Sequence, residues 1–296
     1  MNPFRSRPLF FTGLIIYGLL LTAALLYFRF PAKKFKTFCQ TQVEQLLPDT
    51  RCSISKIRYK FPFAMEIIDI DLSSNQENEQ NLLTVDRAII RPKVTAPKSQ
   101  FQVELAACDG KHDFSLLLKQ KKKEARFENI HLTNLDLAKI PFLRQTFGRE
   151  ITGLLSGSGT YRTSWNDDLV EGKGKGKISM VDGSFKLLLP ILSLQKIDLK
   201  KFNADLVFQK EKLQFNKGRF QGRELTGNFS GGLALRSPIE QSKFSFKGTL
   251  EPLPPLLKKN RYAKNLLIQM KKRHNRSTLP FLLQGSVKRP SFKFDS

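Results

Sequence analysis

The chain has 296 residues, of which 40% are hydrophobic and 26% are charged, so it can bury a sizeable core and is not a disordered protein. Its 50 lysine and arginine residues outnumber 26 acidic residues, and the formal net charge of +24 indicates an anionic partner, either nucleic acid or a lipid surface. The three cysteines and three histidines match no metal-binding spacing, and no catalytic motif occurs, so we predict a protein that is not an enzyme and has no cofactor.

A short tail, residues 1–8, is followed by twenty residues without a charge, residues 9–28. At about 1.5 Å per residue a helix of this length spans roughly 30 Å, the hydrocarbon thickness of a bilayer. The run is longer than the apolar part of a cleavable signal peptide, which favours a permanent transmembrane anchor. Counting the flanking lysine and arginine residues alone would leave the body in the cytoplasm, but long translocated domains often ignore that count.

The next unit, residues 29–48, is a linker that we predict to be an amphipathic helix ending before Pro48. Its apolar residues are spaced as on one side of a helix: Phe35, Phe38, Val43, Leu46 and Leu47. Cys39 in this helix and Cys52 beyond it could form a disulfide in an oxidising compartment, or they could be unpaired small apolar side chains.

The remainder, residues 49–296, is predicted to be a β-rich body. Short segments alternate apolar and polar residues, which places each set on a different face of a sheet. The alternation is clearest at residues 177–180, 202–208, 213–215 and 244–246. Dipeptides such as Asp182-Gly183, Lys217-Gly218 and Gly231-Gly232 are typical of turns, so we predict an antiparallel meander with one apolar face. A short helix is predicted over residues 141–147.

A second predicted helix, at about residues 256–276, is strongly basic and contains no acidic residue. Its basic side chains are Lys258, Lys259, Arg261, Lys264, Lys271, Lys272, Arg273 and Arg276. Tyr262, Leu266, Leu267 and Met270 fall near one side of this helix. Such a helix can lie on an anionic membrane or contact phosphorylated lipid. The alternative is a solvated helix that caps the open end of the sheet.

Several phrases follow the anchor in a distinctive order. They are Phe-Pro at 30–31, the segment 59–72, LTNLDLAKIP at 132–141, ITGLLSGSG at 151–159, GKGKGKI at 172–178, DGSF at 182–185, GRELTGNFSG at 222–231 and LRSPI at 235–239. In this order they resemble the N component associated with type II secretion systems, in the GspN form that carries an AsmA-like domain. The resemblance covers nearly the whole chain, and it implies a mainly β fold: a single N-terminal transmembrane helix followed by an extended, twisted antiparallel AsmA-like sheet with a few short helices.

The resemblance also implies a function. It suggests a single-pass inner-membrane protein with its body in the periplasm of a diderm bacterium, acting as a scaffold or adaptor in type II protein secretion, and it supplies no catalytic residues. AsmA-like relatives are groove-shaped β structures thought to move lipids, so the alternative is a lipid-binding or lipid-transfer module with an apolar groove. The expected partners are the membrane, secretion-system proteins and phospholipid or lipopolysaccharide, and nucleic acid is not expected.

Overall fold

One antiparallel sheet dominates the computed structural model, which describes residues 11–18, 21, 31–47, 49–75, 80–166, 169–236, 239–274 and 278–294. Fourteen strands pair in the order in which they occur in the chain, as the sequence predicts for a meander. They are β1 Thr50–Lys60, β2 Ala64–Ser74, β3 Asn81–Pro92, β4 Gln100–Ala107, β5 Gly110–Lys119, β6 Glu124–Asp136, β7 Ile151–Asn166, β8 Leu169–Ile191, β9 Leu194–Gln209, β10 Lys212–Gly222, β11 Leu225–Ala234, β12 Lys243–Pro252, β13 Leu279–Ser286 and β14 Pro290–Phe294.

The α-helices of the body belong to segments that lead into odd-numbered strands. They are α1 Ala32–Leu46, α2 Pro141–Phe147, α3 Pro254–Lys259 and α4 Arg261–His274. Helix α1 precedes β1, α2 connects β6 to β7, and α3 and α4 connect β12 to β13. Because neighbouring strands are antiparallel, all these segments join the sheet on the side where the odd-numbered strands begin. We call this side, which is formed by strand ends and not by an outermost strand, the helical edge. The helices predicted for the linker and for residues 141–147 are present in the structure, which confirms those two predictions. The predicted basic helix is divided into two helices at Asn260.

Only part of the predicted anchor belongs to the described residues. Residues 11–18 and 21 are helical, and Phe11, Ile15 and Tyr17 are more than 60% exposed. The rest of residues 9–28, like the tail at 1–8, lies outside the described residues. Within the described ranges, no helix combines the length and the apolar character needed to cross a membrane. The anchor remains a prediction.

The strand register places apolar side chains on one face along the whole sheet. A row of cross-strand partners runs from β1 to β9 through Ile57, Ile67, Ala88, Leu105, His112, Leu132, Gly157, Ile178 and Ala204. A second row runs from β9 to β13 through Phe202, Phe220, Gly227, Leu250 and Leu279. Since side chains alternate along each strand, the polar residues between these positions line the other face. The predicted meander with one apolar face is confirmed.

Fully buried apolar side chains form two clusters, and helices cover both. Helix α1 packs Phe35, Cys39 and Val43 on the first cluster, which consists of Cys52, Ile54, Ile57, Ile67 and Ala88. Helices α3 and α4 contribute to the second cluster, which consists of Leu192, Leu225, Leu250, Leu256, Ala263, Leu279 and Phe281. The two clusters therefore lie towards the two ends of the strand series, near β1 to β3 and near β8 to β13, while single buried side chains such as Val103 and Ala125 lie between them.

Three of the predicted turns are wrong, because their glycines lie inside strands. Gly183 belongs to β8, Gly218 to β10, and both Gly231 and Gly232 to β11. Glycine marks a turn when the backbone needs a positive φ, but in a strand it marks a place where another group comes close to the backbone. The side chains that approach Gly183, Gly218 and Gly231 are Met180, Phe229 and Phe246, and they belong to the apolar face.

Candidate functional site

Aromatic rings form a ladder across the apolar face in the middle of the sheet. The ring centroids of Phe114 and Phe127 are 5.5 Å apart, and those of Phe127 and Tyr161 are 5.9 Å apart. Tyr161 of β7 then reaches Phe208 of β9, also at 5.9 Å, over Gly174 of β8, which is the cross-strand partner of both. A side chain on Gly174 would separate the two rings, so the glycine keeps the ladder continuous from β5 to β9.

The same arrangement recurs further along the sheet. Phe215 of β10 and Phe246 of β12 have ring centroids 5.5 Å apart, and Gly231 of β11 is the cross-strand partner of both. The abundance of phenylalanine and the glycines within strands are thus two parts of one packing pattern. The sequence analysis assigned Gly231 to a turn and missed the pattern, although phenylalanine and glycine alternate with a period of two in β11.

The side chains in the middle of the apolar face are mostly half-buried. Within the described ranges, the protein has a single sheet. The side chains that line it are Phe114, Leu116, Phe127, Ile130, Leu132, Tyr161, Ile178, Met180, Leu206 and Phe208. We call this set the central apolar face. Gly157, Gly159 and Gly176 lie among these residues and add no side chain of their own. A contiguous apolar surface of this kind is suited to binding apolar matter.

His112 is a polar residue on the apolar face. It is 6% exposed and lies between Leu105 and Leu132 in the cross-strand row. Its Nε2 atom is 3.3 Å from the carbonyl oxygen of Ala107, and its Nδ1 atom has no hydrogen-bond partner among the described residues.

The polar face contains a buried carboxylate held by two arginines. Glu124 is 3% exposed, and its carboxylate accepts hydrogen bonds from Arg126 Nε and, at 2.6 Å, from Arg162 Nη2. The hydrogen bond from Arg126 and the positive charges of both arginines hold the pKa of Glu124 below its ordinary value. Glu124 is therefore ionised at neutral pH and serves to pair cations, not to donate a proton.

Two open depressions also lie among side chains of the polar face. The larger has a volume of about 600 Å³ and is lined by Lys217, Arg219 and Lys247, by uncharged polar residues, and by the apolar residues Phe229, Pro280 and Phe281. The smaller has a volume of about 470 Å³ and shares Arg219 with the larger. Within the ranges that the structure describes, no group of three His, Cys, Asp or Glu residues is placed to hold a metal ion.

The predicted basic residues are partly brought together at the helical edge. Exposed side chains are described for Lys258, Lys259, Arg261, Lys264 and Lys272. Lys271 and Arg273 are helical positions of α4 whose side chains the structure does not describe, and Arg276 lies outside the described residues.

Helix α4 caps the sheet, as the alternative prediction had it. Ala263 is fully buried in the second cluster, and Leu267 packs against that cluster. Asn260 caps the helix by accepting a hydrogen bond from the Ala263 amide at 3.0 Å, and its side-chain amide donates to the carbonyl oxygen of Leu192. Tyr262, predicted to share a side with Leu267, is instead 61% exposed. The buried position is that of the next residue, Ala263, and successive side chains of a helix are about 100° apart around its axis.

Cys39 and Cys52 are brought into the first cluster as free thiols. Two hydrogen bonds connect helix α1 to β1 at this position. Gln40 Nε2 donates to the Cys52 carbonyl at 3.0 Å, and the Cys52 amide donates to Glu44 Oε1 at 3.1 Å. Burial raises the pKa of both thiols. The disulfide remains a prediction, and the packing of Cys52 is that of a small apolar side chain.

Comparisons of this chain with protein-family models, with curated proteins and with solved structures found no significant match. The resemblance to the type II secretion N component and to AsmA-like proteins therefore remains a prediction from the sequence.

Proposed function

We propose that this protein binds the acyl chains of lipids along the apolar face of its sheet. The observation that carries the proposal is the apolar face that continues from β1 to β13, with its two buried clusters towards the ends and mostly half-buried side chains in the middle. A surface that only completed a protein core would be expected to have a second layer along its whole length.

The dimensions and energetics of the central apolar face support this proposal. At about 4.8 Å between strands, the four steps from β5 to β9 extend roughly 20 Å. An acyl chain spans one leaflet, which is roughly 15 Å of hydrocarbon. Removing each CH₂ group from water contributes about 0.8 kcal/mol, so a chain lying along several strands would gain substantially from contact with the aromatic ladder.

Photocrosslinking tests the proposal on the full chain in its native membrane. We expect p-benzoylphenylalanine in place of Phe127 or Phe208 to form adducts with phospholipid, because both side chains belong to the central apolar face. The matched controls carry the same group at Glu128 and Gln209, which are exposed neighbours on the same strands. Mass spectrometry of the adducts provides the readout.

Equal labelling of lipid from all four positions would contradict the proposal, since it would indicate simple proximity to a membrane. Absence of lipid adducts at Phe127 and Phe208, in protein that also retains no lipid on purification, would contradict it as well.

A second proposal is a scaffold or adaptor of type II secretion, and the end of the sheet supports it. β14 is the last strand of the series, whereas the backbone of Cys52 in β1, at the other end, is hydrogen-bonded by α1. A strand at the end of a sheet can pair with a strand of another protein. The proposal places the body in the periplasm, behind an inner-membrane anchor, as part of an AsmA-like family.

Deleting the gene is expected to reduce the export of type II substrates while leaving their synthesis unchanged. Normal export from the deletion strain would contradict the proposed role in secretion without affecting the lipid proposal. Alkaline phosphatase fused after Ser296 checks the location, because this reporter is active only outside the cytoplasm.

A further inference from the structure

The outward side of α3 and α4 is a separate surface at the helical edge, which we call the basic cap. Its described cationic side chains are Lys258, Lys259, Arg261, Lys264 and Lys272, all exposed. The opposite side of α4 is fixed by Ala263 and Leu267 in the second cluster. The basic cap is therefore a rigid surface, because the same helix that presents the cations is anchored in the core.

The positive charge of this surface is largely unbalanced. Lys259 Nζ is 3.9 Å from a carboxylate oxygen of Glu224, and the other four described cations form no ion pair within the part of the chain that the structure describes. Residues 252–276 contain no acidic residue. The basic cap thus produces a local positive field that a partner of opposite charge would neutralise.

Helix stability does not account for two of the cations, Arg261 and Lys264. Basic side chains stabilise the C-terminal end of a helix and are unfavourable near its N-terminal end. Lys258 and Lys259 lie in the last turn of α3, where basic side chains are favourable. Arg261 and Lys264 lie at the start of α4, whose first turn has no acidic residue, so these two cations oppose the dipole of α4 and their placement calls for an external partner.

Two exposed apolar side chains indicate what kind of partner this is. Tyr262 is 61% exposed and Ile268 is 43% exposed, and both lie on α4 among the cations. An interface with nucleic acid is built from polar contacts to phosphate and base edges, whereas a helix at a membrane surface combines lysine with aromatic and aliphatic side chains. We propose that the basic cap docks on the anionic headgroups of a membrane surface, with Tyr262 and Ile268 facing the lipid.

This docking does not depend on acyl-chain binding, and it assigns a role to the helical edge that the apolar face does not explain. The strength of the contact would come from charge, since a lysine or arginine near an anionic bilayer contributes about 1 kcal/mol, a factor of about five in affinity. The interaction should therefore weaken as salt is added.

Co-sedimentation of the full chain with vesicles tests the proposal. One vesicle type is phosphatidylcholine alone, and the other is an equal mixture of phosphatidylcholine and phosphatidylglycerol. We expect the double variant K264E/K272E to lose preference for the anionic vesicles by on the order of tenfold or more, because two positive charges are reversed and the net charge of the surface falls by four units. The matched control is K212E/K243E, which makes the same charge change at exposed positions of the opposite edge and should have a much smaller effect.

Equal losses in the two double variants would overturn the proposal, because they would show that only total charge matters. Unchanged binding by K264E/K272E would overturn it too. A DNA duplex that competes fully with the anionic vesicles, through the same two lysines, would assign the basic cap to nucleic acid instead. Both variants are expected to keep lipid crosslinking at Phe208, so failure of membrane docking and failure of acyl-chain binding are distinguishable.

Discussion

Replacing Gly231 with alanine is expected to destabilise the protein by about 1–3 kcal/mol or more, as overpacking of a tightly packed site does. A Cβ atom at this position would lie 2.2 Å from the carbonyl oxygen of Ser245 and 2.6 Å from the Cα atom of Phe246. Both are backbone atoms of β12, so no change of side-chain rotamer relieves the contact, and the strands have to move apart. Urea unfolding, followed by circular dichroism, measures the change in the free energy of unfolding.

The neighbouring glycine provides the control. A Cβ atom on Gly232 would have its nearest neighbour, the carbonyl oxygen of Leu213, at 3.5 Å, which is an ordinary contact. Alanine at Gly232 is therefore expected to leave stability unchanged or to raise it by about 0.4–1 kcal/mol through the lower entropy of the unfolded chain. Equal effects of the two substitutions would contradict the packing account, in which only the glycine beneath Phe215 and Phe246 is needed.

Replacing Leu279 with alanine is expected to cost about 2–5 kcal/mol, because a fully buried leucine leaves a cavity when it is shortened. Leu279 is 1% exposed and connects Leu250 of the neighbouring strand with Leu256 of α3 and Ala263 of α4. The amides of α4 should lose protection from hydrogen exchange before those of the central strands, since this cluster holds the helix on the sheet.

Leu282 is the matched control on the same strand. It is half-buried and lies on the polar face, opposite Lys247 and Lys293. Alanine at Leu282 is expected to cost less than alanine at Leu279 and to leave the exchange of α4 unchanged. If both variants lost the same stability, the second cluster would not be what attaches α3 and α4 to the sheet.

The sequence predicts the strands well because their signal is local. Alternation of apolar and polar residues within β9 or β12 can be recognised from a few consecutive positions. The partners of Gly231 cannot be found in this way, because Phe215 and Phe246 lie on two other strands and only the register brings them to its sides. A pair of adjacent glycines therefore favours a turn until the cross-strand partners are known.

The features of the candidate site also differ in whether they can be predicted from local sequence. The basic character of α4 follows from composition, but which of its sides is buried depends on the apolar ends of β11, β12 and β13 against which it packs. The fastening of α1 to the edge of β1 was not predictable either, because Gln40 and Glu44 bond to backbone groups whose position depends on tertiary structure.

The linear order of strand pairing has a consequence for how the molecule is made. Each strand pairs with its neighbours in sequence, and most of the hairpins are closed by short turns, such as the one joining Gln209 to Lys212, at little cost in chain entropy. Strands can therefore be added in order as the chain leaves the ribosome, with slower steps expected where α2, or α3 and α4, must be enclosed. Because β1 and β14 are not paired with each other, the length of the sheet is set by the number of hairpins, and hairpins could be gained or lost at its β14 end without altering the register of the others.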